Sequence, residues 1–138
     1  MHRFSLLVCA GLLAAGPAVA MDLTVAADGI DPAKGPLMIA LFDRADTFDG
    51  APATQDQAVV ALRLTPAADR VSLALTGLPD GRYAAAVYQD RNRNGRLDTN
   101  VLGIPAEPYG FSGVDRPGRP SFADAAAEGG ALRVRMRE

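Results

Sequence analysis

Residues 70–89 read RVSLALTGLPDGRYAAAVYQ. Val71, Leu73 and Leu75 alternate with Ser72, Ala74 and Thr76, the period of two that a strand with one buried face requires. Leu78-Pro79-Asp80-Gly81 then forms a tight turn, because Pro presets one corner and Gly accepts the conformation of the next. The turn leads directly into Arg82–Gln89, where Tyr83, Ala85 and Val87 share a face.

The same period recurs on both sides of this stretch. In Asp22–Ala27, Leu23, Val25 and Ala27 point one way. In Leu37–Asp43, Leu37, Ile39 and Leu41 share one face and Met38, Ala40 and Phe42 the other; both faces are apolar, so this strand is expected to be central or covered on both sides. In Val59–Thr65, Val60, Leu62 and Leu64 point inward and Arg63 outward. Near the C-terminus Leu132, Val134 and Met136 alternate with Arg133, Arg135 and Arg137, whose outward charges guard a strand against edge-to-edge pairing. Six such runs separated by Gly and Pro turns predict an all-β fold, an antiparallel β-sandwich with one core.

The N-terminus reads as an address. MHRFSLLVCAGLLAAGPAVA carries His2 and Arg3, an apolar run from Phe4 to about Ala15, and the small-x-small pattern Ala18-Val19-Ala20. The run is shorter than the about 20 residues that span a bilayer. Residues 1–20 are therefore expected to be a secretory signal peptide and residues 21–138 a single domain, periplasmic or secreted. A lipid-anchored alternative at Cys9 fits poorly, because Val8 precedes it where a small residue is wanted. No later stretch is long and apolar enough to span a membrane.

Residues 21–138 hold 13 basic and 16 acidic residues, a net charge of −3, with no basic surplus to point at nucleic acid. Cys9 and His2 are the only cysteine and histidine, and there is no Trp. The mature chain can form no disulfide, no Ser-His-Asp or Cys-His site, and no zinc, copper or haem site on the usual ligands. Catalysis would rest on carboxylates, hydroxyls, Arg or the single lysine, Lys34.

The links are uneven. Asp43–Gln57 is a polar loop containing alanines. Asp90–Gly130 is a much longer one, rich in Gly and Pro, of a length that marks function or disorder. Val101, Leu102, Ile104, Tyr109, Phe111 and Phe122 offer apolar anchors, so it is expected to be ordered. Ser121-x-x-Asp124 before an Ala run is a capping-box signal for one short helix.

Within that loop, Asp90-Arg91-Asn92-Arg93-Asn94-Gly95-Arg96-Leu97-Asp98 places oxygen-bearing side chains at positions 1, 3, 5 and 9, glycine at 6, and the Arg96 carbonyl at 7. This matches the first part of a calcium loop. Val101 stands at position 12 where the full loop has a bidentate Glu, and Arg91, Arg93 and Arg96 bring positive charge; Asn100 or Glu107 would have to complete the shell. The alternative is a metal-free turn in which the Asx side chains bond to nearby amides. Calcium at Asp90, Asn92, Asn94, Arg96 and Asp98 and the metal-free turn both stay open. Glu107, Tyr109, Phe111 and Ser112 follow as candidates for a ligand or loop surface, the aromatics either gripping a sugar or peptide or pinning the loop to the sandwich.

The run LPDGRYAAAVYQDRNRNGRLDTNVLGIPAEPYGFS, together with Pro120-Ser-Phe-Ala-Asp-Ala, resembles the bacterial exported family labelled domain of unknown function 2141, with its L-P-x-G-x-Y, D-x-N-x-N-G-x-L-D and G-I-P-x-E-x-Y-G-F-S stretches. The resemblance spans nearly all of residues 21–138, and Gly113 departs from it, standing where the family pattern has Asn. It implies a prealbumin-like or immunoglobulin-like sandwich and no established activity. The functional expectation is a binding module using the 90–112 loop, its partner a protein or carbohydrate of the cell envelope. A structural envelope domain with the loop as a stabilising clasp is the alternative. A carboxylate-based glycosidase using Asp90, Asp98 or Glu107 would need two carboxyls about 5–10 Å apart across a cleft.

Overall fold

The computed structural model describes residues 20–49 and 57–138. The expected leader lies outside the described residues except for Ala20, as does most of the second half of the Asp43–Gln57 loop. The elements run β1 (Ala20–Asp28), β2 (Leu37–Phe42), α1 (Ala45–Asp49), β3 (Val60–Leu64), β4 (Arg70–Pro79), β5 (Ala84–Gln89), β6 (Tyr109–Phe111), α2 (Phe122–Ala125) and β7 (Gly130–Arg135). A short 3-10 turn, Pro32–Lys34, precedes β2. No helix among the described residues is long and apolar enough to cross a membrane.

Two sheets form, in the orders β4-β1-β7 and β3-β2-β5-β6. The expected all-β sandwich is therefore what the chain builds. All pairings are antiparallel except β1 with β7, which run parallel with Val25 opposite Leu132 and Ala27 opposite Val134. Alternation says which face a residue takes but not which strand lies beside it, so this pairing has no signature in the sequence.

Residues 70–89 connect the two sheets. β4 lies in the three-stranded sheet and β5 in the four-stranded one, so the Pro79–Gly81 turn crosses between layers. Tyr83 fixes the crossing: its ring is buried, and its hydroxyl donates back to the Pro79 carbonyl at 2.5 Å. A tyrosine bonded to backbone a few residues upstream is a known corner device of sandwiches.

The inward sets meet as expected. Leu23, Val25 and Ala27 of β1, Leu132 and Val134 of β7 with Met136 beyond it, Leu37, Ile39 and Leu41 of β2, and Tyr83, Ala85 and Val87 form one core, flanked by Val71, Leu73 and Leu75 of β4 and Val60, Leu62 and Leu64 of β3. The second apolar face of β2 is also covered. Ala40 and Phe42 pack with Phe48 of α1, Ala84 and Ala125 of α2 in a separate cluster outside the sandwich.

Phe48 is the centre of that cluster, fully buried with edge-on contacts to Phe42, Phe111 and Phe122 at ring separations of 5.6–6.0 Å. The Arg119 guanidinium lies over the Phe48 ring at 5.1 Å and the Phe111 ring at 5.7 Å, and donates to the Phe48 carbonyl. Burial against these rings lowers the Arg119 pKa from its ordinary value. The segment read as a polar loop thus supplies a core residue. One aromatic in a polar run has no periodicity to announce it.

The helix at Ser121 forms as read, with the Ser121 hydroxyl accepting from the Asp124 amide at 3.3 Å. Gly113, the departure from the family pattern, has φ +83, and a Cβ there would lie 2.3 Å from the Asp124 carbonyl oxygen. Its missing side chain lets α2 sit directly on the end of β6. Phe48→Ala should cost about 3–5 kcal/mol, the range for emptying a packed aromatic site. Arg63→Ala, on the exposed side of β3, should change stability by less than about 0.5 kcal/mol. Urea unfolding of the two variants checks both values.

Candidate functional site

The long loop begins at Asp90, directly after β5, and Asp90 is fully buried. Its amide donates to the Pro36 carbonyl, and both of its carboxylate oxygens accept backbone amides: Oδ1 from Asn94 at 3.1 Å and Oδ2 from Gly95 at 2.7 Å. Gly95 takes φ +75, the bend that its place in the motif requires. Asn92 Oδ1 accepts from the Asn94 amide and Asn94 Oδ1 from the Arg96 amide. The two side-chain amide groups converge on the Asp98 carboxylate, with Asn94 Nδ2 at 2.8 and 3.0 Å.

Glu107 closes the loop from its other end. It is 5% exposed, and its two oxygens accept the Arg91 amide at 3.0 Å and the Asp98 amide at 3.1 Å. The Tyr88 hydroxyl donates to the Gly95 carbonyl at 3.0 Å. Beneath this, buried Gln89 bonds Asp31 and Gly35 of the turn before β2, which seats that turn against Asp90. A buried Gln carries no motif, so sequence reasoning missed it.

Beyond Asp98 the chain forms a second, smaller turn. Ala106 donates to the Asp98 carbonyl, Thr99 bridges Pro105, and Asn100 Oδ1 accepts the Leu102 and Ile104 amides at 2.9 and 3.1 Å. Asn100 N donates to the Ile104 carbonyl and Gly103 N to the Asn100 carbonyl. Asn100 thus holds the tip, its side-chain oxygen already engaged by two backbone amides. Val101 is fully exposed, Leu102 is 79% exposed and Ile104 54%.

The sequence places these three residues among the anchors, and the structure reverses that. They project into solvent because the backbone of residues 98–106 is held by its own bonds and needs no apolar support. Tyr109, Phe111 and Phe122 do anchor: Phe111 and Phe122 pack on the Phe48 cluster, and Tyr109 stacks edge-on against Phe111 at 5.9 Å. The expected ligand surface also loses two members. Glu107 is buried as the clasp just described. Ser112 is fully buried, its hydroxyl accepting the Ala85 amide and donating to the Ala125 carbonyl, both at 2.8 Å. Each is drawn inward because backbone groups there need a polar partner.

A family model described as "Uncharacterized protein conserved in bacteria (DUF2141)" matches residues 25–135. The chain belongs to the DUF2141 family. No curated protein and no solved structure matches it. In this DUF2141 chain the family-like stretches coincide with structural parts: the L-P-x-G-x-Y turn is the tyrosine corner, Asp90–Asp98 is the Asx-rich turn, and Glu107 to Ser112 carries the clasp, β6 and the buried serine.

Of the expected calcium ligands, the structure brings the Asn92 and Asn94 side chains together around the Asp98 carboxylate, while Asp90 turns both its oxygens to backbone amides. Each Asn oxygen already accepts an amide, and each Asn nitrogen faces Asp98, so a cation must displace the hydrogen bonds that shape the turn. Among the described residues no three Asp, Glu, His or Cys side chains cluster in a way that would hold a metal. Melting curves of the DUF2141 domain with calcium at about 1 mM, an extracellular level of binding, and with chelator should therefore coincide. Asn94→Ala should cost about 1–2 kcal/mol in either buffer, having removed bonds to the Arg96 amide and Asp98. A calcium-dependent rise in melting temperature that disappears in Asp98→Ala would instead establish a metal site.

Tyr88 gives a second test. Burial first, and then the charges of Asp90, Glu107 and Asp98, push its pKa from 10.0 to about 12. The folded state keeps the phenolic proton longer than the unfolded state does. The stability this contributes is complete below pH 10 and is lost as pH rises towards about 12. An alkaline titration followed by phenolate absorbance and by circular dichroism should show Tyr88 ionising together with unfolding, and Tyr88→Phe should flatten the fall in stability across that window.

Proposed function

We propose that this chain is an exported binding module of the bacterial cell envelope, and that it docks an apolar groove of a partner protein through Val101, Leu102 and Ile104. One observation carries the reading. Three large aliphatic side chains are exposed together on a tip whose backbone is fixed by Asn100 and, at its base, by Asp98 and Ala106. Exposed apolar groups on a rigid, self-bonded loop serve no packing purpose in the free chain, and pre-organisation lowers the ordering cost of binding.

A protein partner suits the tip better than a carbohydrate. Sugar binding favours exposed aromatic faces, whereas Tyr109 and Phe111 are engaged with the Phe48 cluster and each other. A hydrolase would need a carboxylate turned towards substrate, whereas Asp90 and Glu107 turn their oxygens to amides of the loop. Export is supported by the leader pattern. Cleavage after Ala20 would remove nothing from the core, whose first member on β1 is Leu23.

The test places a photo-crosslinking residue at position 102 in cells that express the chain. A discrete adduct of one mass in the envelope fraction should form, with the chain itself beginning at Met21. The adduct should fall at least about tenfold with Val101→Ser and Ile104→Ser together, since each apolar side chain buried at an interface is worth about 1.5–3 kcal/mol. The melting temperature should move little, because Val101 is fully exposed and Ile104 more than half exposed in the free domain. No adduct, or one indifferent to the serine substitutions, would leave the loop as a structural clasp. A chain retained in the cytoplasm with Met1 at its N-terminus would overturn the envelope assignment.

A further inference from the structure

A cleft of about 610 Å³ lies between the Pro32–Lys34 turn, the outer face of β3 and the start of the long loop. Its walls include Lys34, Arg63, Arg91 and Arg93, with Glu138 the only acidic residue lining it. Asp31 stands near enough to Glu138 to act on its charge. Lys34 and Arg91 both pair with the Glu138 carboxylate, whereas Arg63 and Arg93 make no ion pair among the described residues. Lys34 is the only lysine of the chain, and it sits here beside three of the arginines. Three separate segments bring these cations together: the turn seated on Gln89 carries Lys34, β3 carries Arg63, and the start of the long loop carries Arg91, whose amide is bonded to Glu107, and Arg93.

We propose that this cleft binds a multiply charged oxyanion of the phosphate class, and that the Glu138 side chain occupies part of the site until the ligand displaces it. The volume is that of a small-molecule site, and its charged lining suits a ligand whose affinity comes from ion pairs. A single carboxylate would only replace what Glu138 already offers from within the same chain. A phosphate or diphosphate brings more charge and more acceptor oxygens, enough for the arginine forks that Glu138 leaves unpaired as well as for Lys34 and Arg91. The hydrogen bond from Lys34, then its charge and that of Arg91, lower the pKa of Glu138, which is how these cations act on an anion placed between them. This site is separate from the aliphatic tip and does not depend on the tip's having a partner.

The same chemistry is offered by a soluble phosphate compound and by a phosphate headgroup, so the test has two arms at low ionic strength, where exposed charges are least screened. In the first, inorganic pyrophosphate is titrated into the purified protein by calorimetry. In the second, the protein is sedimented with phosphatidylcholine vesicles containing phosphatidic acid. Saturable binding in the first arm assigns a soluble ligand, and binding in the second arm alone assigns a headgroup. In whichever arm binds, Arg63→Ala and Lys34→Ala should each weaken the interaction about tenfold, as loss of a charge-assisted bond does. Arg133→Ala, on β7, should leave it unchanged, and Glu138→Gln should tighten it several-fold. The expected stability of these exposed-site variants is checked by their melting temperatures. No saturable binding in either arm, or equal weakening by Arg133→Ala, would overturn the site. Unchanged affinity in Glu138→Gln would overturn the role given to Glu138.

Discussion

Four carboxylate oxygens hold four backbone amides between residues 91 and 98. Asp90 takes those of Asn94 and Gly95, and Glu107 takes those of Arg91 and Asp98. Taking two carboxylates out of water costs several kcal/mol each unless their oxygens find donors. Here every oxygen does, and hydrogen bonds to a charged group are worth about 1.5–3 kcal/mol apiece. The amides gain equally, since a loop that crosses itself without regular structure has no ladder to satisfy them. The clasp ties the start of the long loop to its middle and so makes a small rigid body from a segment that composition alone would allow to wander.

That rigid body is fixed to the sandwich at three places. Tyr88 reaches it from β5, Gln89 fastens the turn before β2 beside it, and β6 carries the chain from Glu107 into the sheet and on to the buried Ser112. Farther along, Phe111 of β6 packs into the outer cluster with Phe42, Phe48 and Phe122, which holds the strand that the loop runs into. With the base secured in this way, the tip at residues 99–105 needs no packing of its own, and its aliphatic side chains are free for another molecule. The phenol of Tyr88 feels the same construction, since the burial and negative charge that make the clasp also hold its proton on.

Most of the sandwich was legible in the sequence because alternation reports burial directly. The inward sets of β1, β2, β3, β4, β5 and β7 and the two covered faces of β2 follow from residue pattern alone. The parallel β1–β7 pairing and the three-residue β6 do not, since neighbours and very short strands leave no period. In the loop, the Asx spacing located the turn, but the spacing alone does not show that Asp90 turns both its oxygens to the Asn94 and Gly95 amides. Polarity also misplaced Glu107 and Ser112, whose partners are backbone groups brought from elsewhere in the chain. Hydrophobicity misplaced Val101, Leu102 and Ile104 for the converse reason. An aliphatic residue buries only where the backbone turns it inward, and Asn100 bonds a turn that points it out.

Amide hydrogen exchange tests the clasp most directly. If two buried carboxylates hold the loop, the amides of Arg91, Asn94, Gly95 and Asp98 exchange as slowly as those of the core strands β2 and β5, through opening that approaches global unfolding. Exchange at these amides as fast as at an unprotected surface loop, while β2 and β5 stay protected, would contradict the account.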